Sequence, residues 1–280
     1  MNNIIKNFIR FKNKLVRNFI NKCKWLRLYK IIYYTKIKKG KMASYNGLKY
    51  EVNIWNICSN IKNIITNEKF CNIEKKLLGG STNNADVECY LNNNKIYIEV
   101  KKSKTPDWMQ LSIKPNDQGV WCATGKNKIP NDAIKLFEKL INNIKIFNSK
   151  IPPFFEKNIT HKEWKEIKKS TNDFNDIYID CPNDTIAKLY SYKKCSYIQI
   201  SDFGLYHLDN DICNFNVPYF ECQQVLRIRT KIHTSNNINN FMYASVTLSA
   251  KPKNINKLNK SMYSLDNYDL LPNNLIKINN

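Results

Sequence analysis

Hydrophobic and polar positions alternate most regularly between Asp86 and Lys101. Val87, Cys89 and Leu91 are separated by polar neighbours, and Ile96, Ile98 and Val100 repeat the pattern after Asn92, Asn93 and Asn94. A period of two marks a strand with one buried face, and Asn tolerates the left-handed angles of a tight turn. The stretch predicts a β-hairpin turning at Asn92–Asn94. Leu226, Ile228, Thr230 and Ile232 alternate with Arg227, Arg229, Lys231 and His233, which predicts a strand with one apolar and one cationic face. Further strands are expected at Val120–Ala123, Asp176–Cys181, Tyr197–Ile200, Leu205–Leu208 and Phe241–Ala250.

Helical spacing marks other segments. Leu48, Val52, Trp55, Ile57 and Ile61 predict a helix from Leu48 to about Ile65. Thr105-Pro106 reads as a helix start, placing Gln110 on that helix. Asn131-Asp132 is expected to cap a helix whose face is Ile134, Phe137, Leu140, Ile141 and Ile144. A charged helix follows at Thr160–Ser170, and another after Pro182-Asn-Asp184 carries Ile186, Leu189 and Tyr190. Alternating helices and strands predict an α/β fold, a mixed β-sheet flanked by helices, over about residues 43–250. Residues 251–280, rich in Asn and Lys, are expected to form a loosely ordered tail.

Residues 1–42 stand apart. No acid precedes Glu51, and Ile4, Phe8, Phe11, Leu15 and Phe19 fall at helical spacing, so a basic amphipathic helix is expected. It is too charged to span a bilayer. Membrane-surface contact, mitochondrial targeting, a DNA-gripping arm and a plain accessory extension remain open as its role. Met42 offers an alternative start.

Composition narrows the function classes. The 280 residues carry 45 Lys+Arg against 23 Asp+Glu, a formal net charge of +22. Such a surface attracts polyanions, nucleic acid first. The abundance of Asn, Ile and Lys makes part of this charge compositional. Nine Cys and three His, with no CxxC pair, argue against zinc. The odd cysteine count and the absence of a secretory leader lead us to expect a reducing intracellular setting, cytoplasm or nucleus. The loop Gly125–Lys128 is basic but lacks the spacing of a nucleotide-binding P-loop.

Candidate chemistry lies on the hairpin. Glu99 and Lys101 share one strand face, and Asp86 comes beside Glu99 from across the hairpin. Two close carboxylates repel unless a cation sits between them, and oxygen donors suit a hard ion such as magnesium. Acid-x-Lys also occurs at Glu74-Lys-Lys76, Glu163-Trp-Lys165 and Glu166-Ile-Lys168. Those segments are helix-like, and residues two apart on a helix face different ways.

Asp86…Glu99-Val100-Lys101 resembles the PD-(D/E)XK nuclease superfamily, the restriction-endonuclease-like fold, although Ala85 stands where many members have Pro. The resemblance implies magnesium-dependent hydrolysis of DNA phosphodiesters, with manganese as a substitute. Asp86, Glu99 and the Val100 carbonyl would hold the ion, and Lys101 would serve the attacking water or the transition state. Glu51 matches the family's helical Glu, as an outer partner of that ion or a ligand of a second. Gln110 is a weaker match to a helical Gln. Double-stranded DNA is the expected partner, with Lys102, Lys104, Arg227, Arg229 and Lys231 as phosphate contacts. A homodimer follows by analogy, because double-strand cutting needs two centres. A restriction-type endonuclease is the first expectation. A junction resolvase, a repair nuclease or a non-catalytic basic DNA-binding protein are the alternatives.

Overall fold

In a computed structural model of the chain, the alternating stretches become two separate sheets rather than one. The structure describes residues 42–71, 85–91, 94–105, 107–142, 159–170, 172, 175–234 and 242–278. The expected amphipathic helix of the first 41 residues and the 79–85 connector, except Ala85, lie outside them. The chain divides into two units, Met1–Asn46 and Gly47–Asn280, and apart from residues 42–46, where the first helix begins, all that follows concerns the second.

The order of elements is α1 (Met42–Ser59), β1 (Ile61–Asn63), β2 (Val87–Leu91), β3 (Asn94–Lys101), β4 (Gln110–Pro115), β5 (Trp121–Ala123), α2 (Asn131–Ile141), α3 (His161–Ser170), β6 (Ile177–Cys181), α4 (Thr185–Tyr192), β7 (Tyr197–Ile200), β8 (Gly204–His207), β9 (Gln224–Thr234), β10 (Met242–Pro252) and β11 (Leu275–Lys277). The fold is mixed α/β. One sheet runs β2-β3-β7-β8, a second β5-β4-β10-β9-β6, and β1 pairs with β11. Within the first sheet only β3 and β7 are parallel. The second is antiparallel throughout.

The hairpin sheet is covered on both faces, so its inner strand β7 is buried along its whole length. Val87, Cys89, Leu91, Ile96, Ile98 and Val100 pack with Ile54, Ile57 and Cys58 of α1, and with Phe70, Phe215, Leu265 and Leu275. On the other face Ile198, Ile200 and Tyr206 join a core with Phe137 of α2, Ile186, Leu189 and Tyr190 of α4, and Leu226, Ile228, Val246 and Leu248 of the second sheet. Glu99 pairs with Ile198 and Lys101 with Ile200. The acid and the lysine therefore project into this second core.

Several expectations change. α1 stops at Ser59, and Ile61 begins a strand. The helix expected after Thr105-Pro106 is absent: Gln110 opens β4, whose Leu111 and Ile113 are buried against β10. Three apolar residues two apart, Met109, Leu111 and Ile113, carry that strand period and outweigh the Pro signal. Asn94 already belongs to β3, and Asn92 and Asn93 are outside the described residues. Pro130, without a side-chain bond, occupies the cap position of α2 in place of Asn131-Asp132. The strand at Val120–Ala123 is a half-buried edge of three residues, Trp121–Ala123.

The expectation of a loose tail also fails. β10 runs through to Pro252, Leu258, Leu265 and Leu275 are buried, and β11 pairs with β1. A buried polar network ties this segment to the hairpin sheet. Gln199 of β7 donates to Ser264 Oγ (2.8 Å) and Tyr50 Oη (3.1 Å) and accepts from the Leu265 amide (2.9 Å), while Tyr50 donates to Asp266 (2.8 Å). Gly204 marks the closest approach. Its φ is +103°, and a Cβ there would lie 2.5 Å from the Tyr263 carbonyl oxygen, the acceptor for the Leu205 amide.

Candidate active site

Antiparallel register builds the site. Val87 pairs with Ile98, so one step further along the ladder Asp86 stands across from Glu99. The Val100 amide donates to Asp86 Oδ2 at 2.9 Å, which fixes the carboxylate against β3. Lys101 Nζ then touches three oxygens: Glu99 Oε1 in a short contact, Asp86 Oδ2 at 3.4 Å and the Val100 carbonyl at 3.2 Å.

A second ammonium reaches Glu99 from a place the hairpin does not reveal. Lys193, just past α4, donates to Glu99 Oε2 at 2.8 Å, and the Cys195 thiol lies 3.9 Å from the same oxygen. Both ammonium groups lie over the Tyr190 ring, 5.5 Å from its centroid for Lys101 and 5.4 Å for Lys193. The ring's negative face suits them, at up to ~2 kcal/mol for a desolvated pair. The Tyr190 hydroxyl is buried and, among the described residues, has no hydrogen-bond partner.

Electrostatics follow from burial and this pairing. Glu99 is 2 % exposed. Burial opposes its charge, but Lys101 and Lys193 outweigh burial and hold the carboxyl below its usual range. Asp86 goes the other way: burial and the neighbouring Glu99 raise it, against Lys101, Lys193 and the Val100 amide. Burial disfavours the charged Lys101, yet Asp86 and Glu99 raise it well above the usual lysine value. Glu51 of α1 is pushed up to about 7, first by burial and then by Asp86, with Glu99 adding to the rise and Lys101 and Lys193 opposing it. Glu51 thus stands within electrostatic reach of the hairpin acids.

The remaining sequence candidates separate. Lys102 and Lys104 follow Lys101 at the end of β3, half-buried and exposed respectively. The cationic row on β9 is largely neutralised. Arg227 is 4 % exposed and bonds Asp107 at 2.8 Å, and Arg229 holds Asp176 with two bonds of 2.9 and 2.7 Å. The buried Arg227 is therefore no phosphate contact. Its alternation places it on the polar face of β9, but Asp107 and Asp176 come from other elements to cover it. Lys231 reaches Gln110 Oε1 at 3.5 Å, so Gln110 belongs to the five-stranded sheet and not to a helix beside the acids. The side chain of His233 is outside the described residues.

The donors around Lys101 Nζ test the fit of a cation. All three are oxygens, two from carboxylates and one from a carbonyl, and they converge on one positive atom. That is the donor chemistry of magnesium or manganese. The Lys101 ammonium at the focus shows that these oxygens stabilise positive charge at that point. Among the described residues no group of three or more His, Cys, Asp or Glu is placed to hold a metal ion, so the fit rests on these two acids and the Val100 carbonyl. Cys58, Cys71 and Cys89, distant in sequence, come together as free thiols in the core that holds β2, and burial, with the neighbouring thiols adding to it, raises Cys89 well above the usual thiol value.

No family model, curated protein or solved structure matches the chain. Among the described residues no helix is long and apolar enough to cross a membrane.

Proposed function

We propose that the chain is a magnesium-dependent DNA endonuclease of restriction type with a PD-(D/E)XK-like centre. One observation carries this reading: Asp86, Glu99 and the Val100 carbonyl focus on a single cationic point, the Lys101 ammonium, whose place the metal ion would take. The hairpin sheet with α1 on one face and α4 on the other supports the restriction-endonuclease-like architecture.

Asp86, Glu99 and the Val100 carbonyl would hold the ion. A divalent ion bound there supplies Lewis-acid polarisation of the scissile phosphate and favours a nucleophilic water at neutral pH. Lys101, leaving Glu99 Oε1 for solvent, carries its ammonium to the charge that develops on the phosphate oxygens. Glu51, the match to the family's helical Glu and near enough to Asp86 for their charges to interact, would serve the attacking water. Burial of Glu99 and Asp86 under Tyr190 excludes bulk water and strengthens each of these interactions. The net charge of +22 supplies attraction to double-stranded DNA, with Lys102 and Lys104 beside the centre as phosphate contacts.

A second reading, a non-catalytic basic DNA-binding protein, draws on the same cluster, because Glu99 already has an ammonium on each oxygen. Plasmid relaxation with magnesium separates the two. Wild type is expected to nick supercoiled DNA, and Glu99→Ala and Lys101→Ala to lose about 100-fold or more in rate. Unchanged cleavage in both variants removes the proposed centre. Inactive wild type with intact DNA binding favours the second reading.

A further inference from the structure

Lys193 is absorbed by nothing in the hairpin motif, yet its side chain is 7 % exposed and is committed to Glu99. The end of α4 fixes its position. The Lys193 and Cys195 amides both donate to the Tyr190 carbonyl, and the Lys194 amide donates to Ser191. Lys194 takes a left-handed φ of 64°. The helix thus closes in a tight turn that leaves the Lys193 stem little freedom, and the Tyr190 ring supports its ammonium from below.

The two oxygens of Glu99 are divided between two lysines. Oε1 faces Lys101, which also touches Asp86 and the Val100 carbonyl; among the described residues Oε2 faces only the Lys193 ammonium. A two-ion phosphodiesterase centre spaces its ions ~3.5–4 Å apart and commonly needs a carboxylate that offers one oxygen to each. Glu99 cannot do so while Oε2 is held by Lys193. Charge points the same way. Glu51, Asp86 and Glu99 against Lys101 and Lys193 leave one negative charge when all are ionised, which one divalent ion already overcompensates.

We infer that Lys193 stands in the place of a second metal ion, so that the centre works with a single divalent cation. This deepens the nuclease reading and rests on it. Lys193 is a positioning residue. It keeps Glu99 ionised and oriented after Lys101 has given up Oε1, and it supplies from inside the protein the fixed positive charge that a second ion brings elsewhere. On this account Glu51 serves the attacking water and does not ligate a second ion.

The test combines ion counting with kinetics. Mn2+ titrated calorimetrically into the DNA-free full-length protein is expected to bind one ion per chain, and Asp86→Asn and Glu99→Gln to abolish that binding. Mg2+ dependence of plasmid cleavage is expected to be hyperbolic. Lys193→Met should still bind one ion and keep the wild-type KM for DNA, because Lys193 is buried, while kcat falls about 10- to 100-fold. Lys193→Arg should restore most of kcat. A merely structural lysine would lower melting temperature without this split between kcat and KM. Two ions per wild-type chain, or a folded Lys193→Met protein that cuts at the wild-type rate, overturns the inference while leaving the nuclease reading intact. One bound ion in a wild-type protein that does not cut DNA overturns the nuclease reading and leaves the single-ion assignment standing.

Discussion

A carboxyl group raised to about 7 on an otherwise ordinary helix, that of Glu51, is a property of its surroundings. Burial penalises its charge, and the hairpin acids add to the penalty. Its folded-state value lies above the usual 4.5, so its contribution to stability is complete below about pH 4.5 and is lost as pH rises through about 7. Because the group is partly solvated, screening reduces the effect to ~1 kcal/mol. Urea unfolding of the metal-free protein should therefore show Glu51→Gln overtaking wild type between pH 5 and pH 8. A difference that stays constant over this range would separate Glu51 from the hairpin acids.

At this scale Asp86, Glu99 and Lys101 were legible because they share one hairpin, where alternation alone decides which side chains meet. Lys193 was not. It lies 94 positions from Glu99, and no local period connects a residue at a helix end to a strand that far back. Arg227 was misread for a related reason. Alternation names the face on which it sits, but only the packed structure shows that Asp107 and Asp176 cover that face.

At the scale of elements, strands with strict alternation declare themselves, and segments that mix signals do not. β4 follows a Thr-Pro pair that resembles a helix start, yet its Leu111 and Ile113 pack on β10. The segment after Lys251 is polar on average, and averaging hides Leu258, Leu265 and Leu275, each buried at a separate site. Burial of a leucine contributes ~1.5–3 kcal/mol, and these three, with the Gln199 network and β11, are comparable with the whole margin of an ordinary domain. Truncation after Lys253 is expected to abolish cooperative thermal unfolding. A truncated protein that still melted as one unit would show the segment to be dispensable.

For the whole molecule, a net charge of +22 overstates the cationic groups offered to a partner on β9. Arg227 and Arg229 are taken by Asp107 and Asp176, and past the end of β10 Lys253 is taken by Asp180. Arg227→Met is expected to lower stability by ~3–5 kcal/mol, because it leaves buried acid without its partner. It should leave the salt dependence of DNA binding unchanged. Lys102→Ala and Lys104→Ala should each reduce the slope of log affinity against log salt by ~1. Equal slopes for all three variants would place the DNA path elsewhere.

The parallel pairing of β3 with β7 joins Ile98 to Tyr197. At ~5–20 residues per second, Tyr197 leaves the ribosome roughly 5–20 s after Ile98, and the β11 partner of β1 emerges later still. For most of that interval the hairpin segment has been made without Lys193 and without the cover of α4. The strand order thus acts as a timer, keeping the centre unassembled until most of the polypeptide has been synthesised.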